Sequence, residues 1–199
     1  MSVIVAVKTD KGFVLGADRK VTIAGNQQRD DIHKIFTFDD CPNTVMGGVG
    51  RLNIIQGISL MDNIIPEVNR LKDNVNTKLI YTTVFPNIME QLKSWKRIKT
   101  DNITMPDSEI MLAYKDKCWI VCSDGCTDEI NDYWAIGSGE EVALGSLAQT
   151  KDLDPEERVR KAVMTAGERT IYVNTNVEIY KTYDDTKDKK SKDKESKEA

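Results

Sequence analysis

The feature that most limits how this chain folds is its first apolar run, Val3 to Val7. A second run, Phe13 to Ala17, follows after Asp10, Lys11 and Gly12. Neither run alternates with polar residues, so a strand built from either is covered on both faces. Asp-Lys-Gly between them reads as a hairpin turn. Two central strands therefore open the fold, and the second stops on three charges, Asp18, Arg19 and Lys20.

The rest of the pattern supplies the covering layers. Lys34 to Phe38 and Thr44 to Val49 read as shorter strands, the second running into Gly47, Gly48 and Gly50. From Arg51 to Leu71, and again from about Thr77 to Lys96, apolar residues recur at helical spacing, which predicts two long helices. Ile110 to Tyr114 and Cys118 to Cys122 predict a second hairpin, and Tyr133 to Ile136 a short strand. A helix follows Gly137-Ser138-Gly139. Asp154 and Pro155 start another, since Asp caps and Pro fits a first turn. Ile171 to Tyr180 closes the sheet. This order predicts an α+β chain built as a four-layer αββα sandwich, helices outside and two sheets within. One domain spans 1–183. Residues 184–199 are Lys, Asp, Glu, Ser and Thr with a final Ala, which predicts a disordered charged tail.

Composition removes some classes of function. A net charge of -4 lacks the basic excess of a nucleic-acid binder. Charges interrupt the early apolar run, and no stretch approaches the roughly 20 apolar residues of a membrane helix. The expectation is a cytoplasmic protein with no nucleic-acid or membrane partner. Cys118, Cys122 and Cys126 are evenly spaced, but zinc sites favour close pairs or added histidines, and the sole histidine, His33, is far away. Reduced structural thiols are the reading here, with a thiol metal or redox module as a distant alternative.

Chemistry enters at Ser2. A small residue after Met1 permits removal of the initiator, which leaves a hydroxyl and a free α-amine on one residue. Such an amine, with an ordinary pKa of about 7.7 to 8.0, needs little help to act as a base at neutral pH. A buried Lys34 kept charged by Asp18 would give that help through like-charge repulsion. The N–H of Gly47 is a candidate oxyanion donor. Val21, Ile32, Val45 and Val49 are candidates for an apolar specificity pocket.

The stretch "SVIVAVKTDKGFVLGADRKVT", the Ser2, Asp18, Lys34 spacing, "TVMGGVG", "AIGSGEEVALGSL" and "AGERTIYVN" occur together in one order. By these the chain resembles the proteasome β-type superfamily over about residues 2–182, and within it is most similar to the bacterial HslV peptidases. The resemblance implies an N-terminal nucleophile hydrolase: a threonine/serine-type peptidase with Ser2 as nucleophile and its own amine as general base. It also implies Lys34 as charged neighbour, Asp18 as the lysine's partner, Gly47 as oxyanion donor and Ser138 as support for the amine. No cofactor is required, though backbone carbonyls of Gly167, Thr170 and Val173 match a family sodium site. The implied assembly is a homo-oligomeric ring, two rings stacked, taking protein or peptide substrates and fed by a ring-shaped ATPase. Met61, Ile80, Phe85 and Met89 are candidate ring contacts. Two departures stand out: serine replaces the usual first threonine, and Thr170 and Val173 stand where proteasome β subunits carry Asp and Ser. The competing expectation is a catalytically silent ring subunit of the same fold.

Overall fold

The computed structural model describes residues 2–23, 27–98 and 107–184. Strands β1 (Ile4–Thr9) and β2 (Gly12–Asp18) form the expected hairpin, with Ile4 opposite Ala17 and Thr9 opposite Gly12. They lie at the centre of a four-stranded sheet ordered β10-β1-β2-β11, where β10 is Tyr133–Ile136 and β11 is Val177–Lys181. A five-stranded sheet runs β5 (Ile35–Phe38), β6 (Cys41–Val49), β7 (Glu109–Tyr114), β8 (Lys117–Val121) and β9 (Thr127–Glu129). A small hairpin, β3 (Val21–Ile23) with β4 (Gln27–Arg29), was not anticipated from sequence.

Three apolar layers bind the elements together. Ile4, Ala6, Phe13 and Leu15 meet Ile35, Val45, Met111 and Ala113 between the sheets. Val3, Val5, Val7 and Val14 pack on helices α5 (Glu140–Gln149) and α6 (Pro155–Arg169) through Leu147, Val159 and Val163. The alternate residues of β1 thus serve two different cores, which is why the run carries no polar residue. On the far side Met46, Leu112 and Trp119 pack against the remaining helices. The αββα sandwich is the observed architecture. Among the described residues, no helix is long and apolar enough to cross a membrane.

Four expectations change. The helix predicted over 51–71 is two, α1 (Leu52–Ser59) and α2 (Glu67–Leu71). Pro66 supplies no N–H, so the helix restarts behind it, while Ile64 and Ile65 of the connection still enter the core. The second long helix is α3 (Thr77–Leu79), a π-helical turn (Ile80–Val84) and α4 (Phe85–Ser94). Pro86 in the first turn of α4 has no N–H for the preceding turn, and a wider turn accommodates that loss. Met61, Ile80, Phe85 and Met89 do not form a second face, because all four are buried in the helix-side core. The exposed apolar side chains of that layer are Leu60, Val68, Leu71, Tyr81 and Trp95. The closing strand starts only at Val177, since the chain turns between Thr170 and Asn176. Of the tail expected at 184–199, residues 185–199 lie outside the described residues.

Candidate active site

Ser2 sits just before β1 and is buried. Its main-chain nitrogen donates to Ser138 Oγ at 3.1 Å, and its carbonyl accepts from Ser138 Oγ and from Gly139 N, each at 3.3 Å. Ser138 reaches that position because the chain turns sharply between β10 and α5. Gly137 has φ +96°, and a side chain there would collide with the Ser2 carbonyl.

Asp18, at the end of β2, is fully buried and is the hub. Its Oδ1 accepts from Lys34 Nζ at 2.7 Å and from Val3 N at 2.9 Å, while Oδ2 accepts from Lys20 N at 3.0 Å. The carboxylate therefore fixes the residue after Ser2 and the lysine at once. Both partners of the ion pair are buried, with 4 % and 0 % of their side chains exposed. Burial pushes the Lys34 ammonium below the ordinary lysine range, opposed by the neighbouring Asp18 and, more weakly, Glu178.

Four of the five predicted catalytic residues lie near one another as two bonded pairs, Ser2 with Ser138 and Lys34 with Asp18, joined through Val3, whose N–H donates to Asp18. Gly47 lies inside β6, opposite Ile35 on one side and Met111 on the other, with its α-carbon against Ile4. The adjacent Gly48 N–H donates to the Lys34 carbonyl at 3.1 Å. A cleft of about 240 Å³ opens at Ser2, walled on one side by Val49 at the end of β6 and by Gly50 just after it. Asp107, Ser108, Glu109, Ser123 and Gly137 complete it. Gly50 takes φ +109°, and a Cβ there would meet the Asp107 carbonyl. Of the expected pocket residues, Val49 lines this cleft, whereas Val45 belongs to the inter-sheet core.

Gly167, Thr170 and Val173 occupy the end of α6 and the turn after it, where Val173 N reaches the Thr170 carbonyl at 3.5 Å and Gly167 packs on the main chain of Asn174. The cysteines separate: Cys118 is buried between the sheets, where burial pushes its thiol up, while Cys122 and Cys126 flank an outer turn. Among the described residues, no three His, Cys, Asp or Glu side chains converge as a metal group.

No protein-family model matches the chain. Among curated proteins it is similar to the ATP-dependent protease subunit HslV of Campylobacter fetus subsp. fetus, 25 % identical over 189 residues, covering 92 % of this chain and 96 % of that one. The HslV of Campylobacter jejuni is 36 % identical over 95 residues, 44 % of this chain and 51 % of that one. Thiobacillus denitrificans BPH in complex with epoxomicin superposes with a TM-score of 0.72 at 18 % identity, covering 92 % of this chain and all of that one. HslV from Trypanosoma brucei gives 0.66 at 18 % identity, covering 89 % and 97 %.

Along nearly its whole length the chain is similar to HslV protease subunits, and it shares their fold.

Two site residues, Glu178 and Asn174, escaped the sequence reading. Glu178 on β11 accepts from Lys34 N at 2.7 Å and Ile35 N at 3.1 Å through Oε1, and its Oε2 pairs with His33 Nδ1 at 2.7 Å. Asn174 accepts from Arg19 N at 3.2 Å and donates its own N–H to Asp18 at 3.4 Å. A lone acid between Val177 and Ile179 reads as a solvent-facing strand position. Val177 and Ile179 instead pack toward the helices, which turns Glu178 into the space between the sheets.

Proposed function

We propose that this chain is the peptidase subunit of a self-compartmentalising, proteasome-like protease, an endopeptidase whose mature first residue, Ser2, is the nucleophile. The observation that carries the reading is the placement of the Ser2 nitrogen on Ser138 Oγ, one residue from an amide held by the buried Asp18–Lys34 pair. Loss of Met1 turns that nitrogen into an amine. The amine takes the proton of the Ser2 hydroxyl as Oγ attacks a peptide carbonyl, and then gives it to the departing amine. The glycine stretch at the end of β6, Gly47 to Gly50, supplies an N–H to the developing oxyanion. Water hydrolyses the resulting ester with the same amine as base. Lys34 keeps the amine neutral through like-charge repulsion, and Ser138 fixes its direction.

The HslV relatives are named as subunits of an ATP-dependent protease, which supports a cytoplasmic ring, two rings stacked, that receives protein substrates from a ring-shaped ATPase. A hard cation such as sodium fits carbonyl donors, and Gly167, Thr170 and Val173 would hold it, bracing the turn that carries Asn174 to Asp18.

Intact mass and peptide hydrolysis test the reading together. The active protein begins at Ser2, Ser2→Ala abolishes hydrolysis without changing the fold or assembly, and Ser2→Thr retains it. Epoxomicin, present in the BPH structure, adds its mass to the wild-type protein and not to Ser2→Ala. Full turnover by protein that still carries Met1 overturns the mechanism.

A further inference from the structure

Glu178 is a buried carboxylate, 9 % exposed, that the steps above do not use. It reaches from the last strand of one sheet to the first residues of β5 in the other. Its Oε1 receives two main-chain N–H groups, those of Lys34 and Ile35, at the point where the chain enters β5. The Lys34 carbonyl is tied in turn to Gly48 N at 3.1 Å. The backbone of Lys34 is thereby held from both sides, and its side chain is left one route, inward to Asp18. Glu178 also places a second negative charge near the Lys34 ammonium, after that of Asp18. Its other oxygen is steadied by His33 Nδ1 at 2.7 Å. Arg19 NH2 lies 3.1 Å from His33 Nε2 and can only donate, so Nε2 accepts and Nδ1 carries the proton toward Glu178.

We propose that Glu178 is a positioning residue for the peptidase reaction, which aims Lys34 at Asp18 and, as a second counter-charge, keeps the lysine protonated. The proposal rests on the peptidase reading for its kinetic consequence but not for its electrostatic one. The charged or titratable groups around this pair are Asp18 and Lys20 from the end of β2, Arg19 and His33 beside Glu178, and Tyr180 on β11.

Glu178→Gln keeps an acceptor for the two amides and removes the charge. Its kcat is expected to fall by about tenfold or more, with KM within about twofold, because an ammonium that has lost a counter-charge tunes the Ser2 amine less well while the substrate contacts are unchanged. Loss of the negative charge lowers the Lys34 titration midpoint, so the alkaline limb of the rate moves to lower pH. A second measurement removes activity from the question. Nitrogen-15 NMR of the lysine ammonium groups in Ser2→Ala and in Ser2→Ala with Glu178→Gln shows the Lys34 midpoint falling in the double variant. If Ser2→Ala itself still hydrolyses peptides, the peptidase reading fails while the NMR comparison continues to decide the role of Glu178. Should Glu178→Gln not fold, Glu178→Asp, which keeps the charge but shortens its reach, is expected to lose kcat with a smaller shift of the Lys34 signal. An unchanged Lys34 midpoint in the Gln variant, or wild-type kcat and an unmoved Lys34 signal in the Asp variant, overturns the proposal.

Discussion

Two lysine–aspartate pairs in this molecule have the same length and opposite character. Lys34 Nζ and Asp18 Oδ1 lie 2.7 Å apart beside the main chain that follows Ser2, where Val3 N also donates to Asp18, and Lys115 Nζ and Asp73 Oδ1 lie 2.7 Å apart at the rim of the five-stranded sheet. The first pair exposes 4 % and 0 % of its side chains, the second 43 % and 78 %. At the rim the hydrogen bond to Asp73 dominates and raises the Lys115 pKa. At the site desolvation dominates, and Lys34 is lowered despite its partner. Distance alone therefore does not say what an ion pair does. Water left the inner pair before the bond was counted, so its ammonium is held at a cost the rest of the fold bears.

The sharpest way to break the comparison is to remove one carboxylate from each pair. Asp18→Ala leaves the Lys34 ammonium buried without this partner and removes the acceptor of Val3 N, Lys20 N and Asn174 N. Removing one partner of a buried pair costs about 3–5 kcal/mol, so denaturant unfolding should show a midpoint far below wild type, and peptide hydrolysis should vanish. Lys34→Ala is the milder test of the same pair. Asp18 keeps its main-chain donors Val3 N, Lys20 N and Asn174 N, so stability falls less than activity, and in the residual activity the acid limb moves to higher pH because the Ser2 amine has lost a like charge. A normal rate with an unchanged pH profile in Lys34→Ala would falsify the assigned task of the lysine.

How far the sequence foretold this site follows from where each constraint is recorded. Ser2, Asp18 and Lys34 fall at strand ends, where the sequence pattern marks them as candidates, whereas Ser138 entered only through the family resemblance; the structure places the four near one another. The two-sided burial of β1 was legible for the same reason, since Val3, Val5 and Val7 need one core and Ile4 and Ala6 another. Glu178 was not, because an acid alternating with apolar residues looks identical whether its face meets water or a second sheet. Only the packing of the two sheets decides that. The position of Gly47 within β6, with Gly50 at the cleft, depends on strand pairing that spacing does not encode. The helix-side layer was misread at Met61, Ile80, Phe85 and Met89 because periodicity counts apolar positions without fixing which way a broken or π-widened helix rotates them.

Titration sharpens the comparison further by giving the two lysines opposite signs. Lys34 has a folded-state pKa below its unfolded value, so between those two values the unfolded chain binds more protons and stability rises with pH through that window. Lys115 has a folded-state pKa above its unfolded value, so its contribution is fully present below the unfolded value and is lost as pH rises through the folded one. Nitrogen-15 NMR should place the Lys34 midpoint below, and the Lys115 midpoint above, that of an ordinary surface lysine. Two midpoints on the same side would show that burial is not what separates the pairs.

The smallest effect belongs to the rim. Lys115 lies at the β7–β8 turn, in a left-handed conformation with φ +53°, and its ammonium also passes 5.2 Å from the Tyr114 ring. Its pairing with Asp73 joins that turn to the segment after α2, but both side chains remain in solvent, where salt screens the attraction and ordering two flexible groups offsets it. Asp73→Asn should therefore leave peptide hydrolysis unchanged and shift the thermal midpoint by less than replicate scans resolve at physiological salt. Any shift seen at low salt should fade as salt is added. Asp18→Asn in the same assay should not be rescued or worsened by salt to that degree, because the ions cannot reach a carboxylate with no exposed surface. A salt-insensitive loss of stability in Asp73→Asn would mean that the rim pair is buried in the assembled protein, and the contrast between the two pairs would then be a contrast between a fold and an interface.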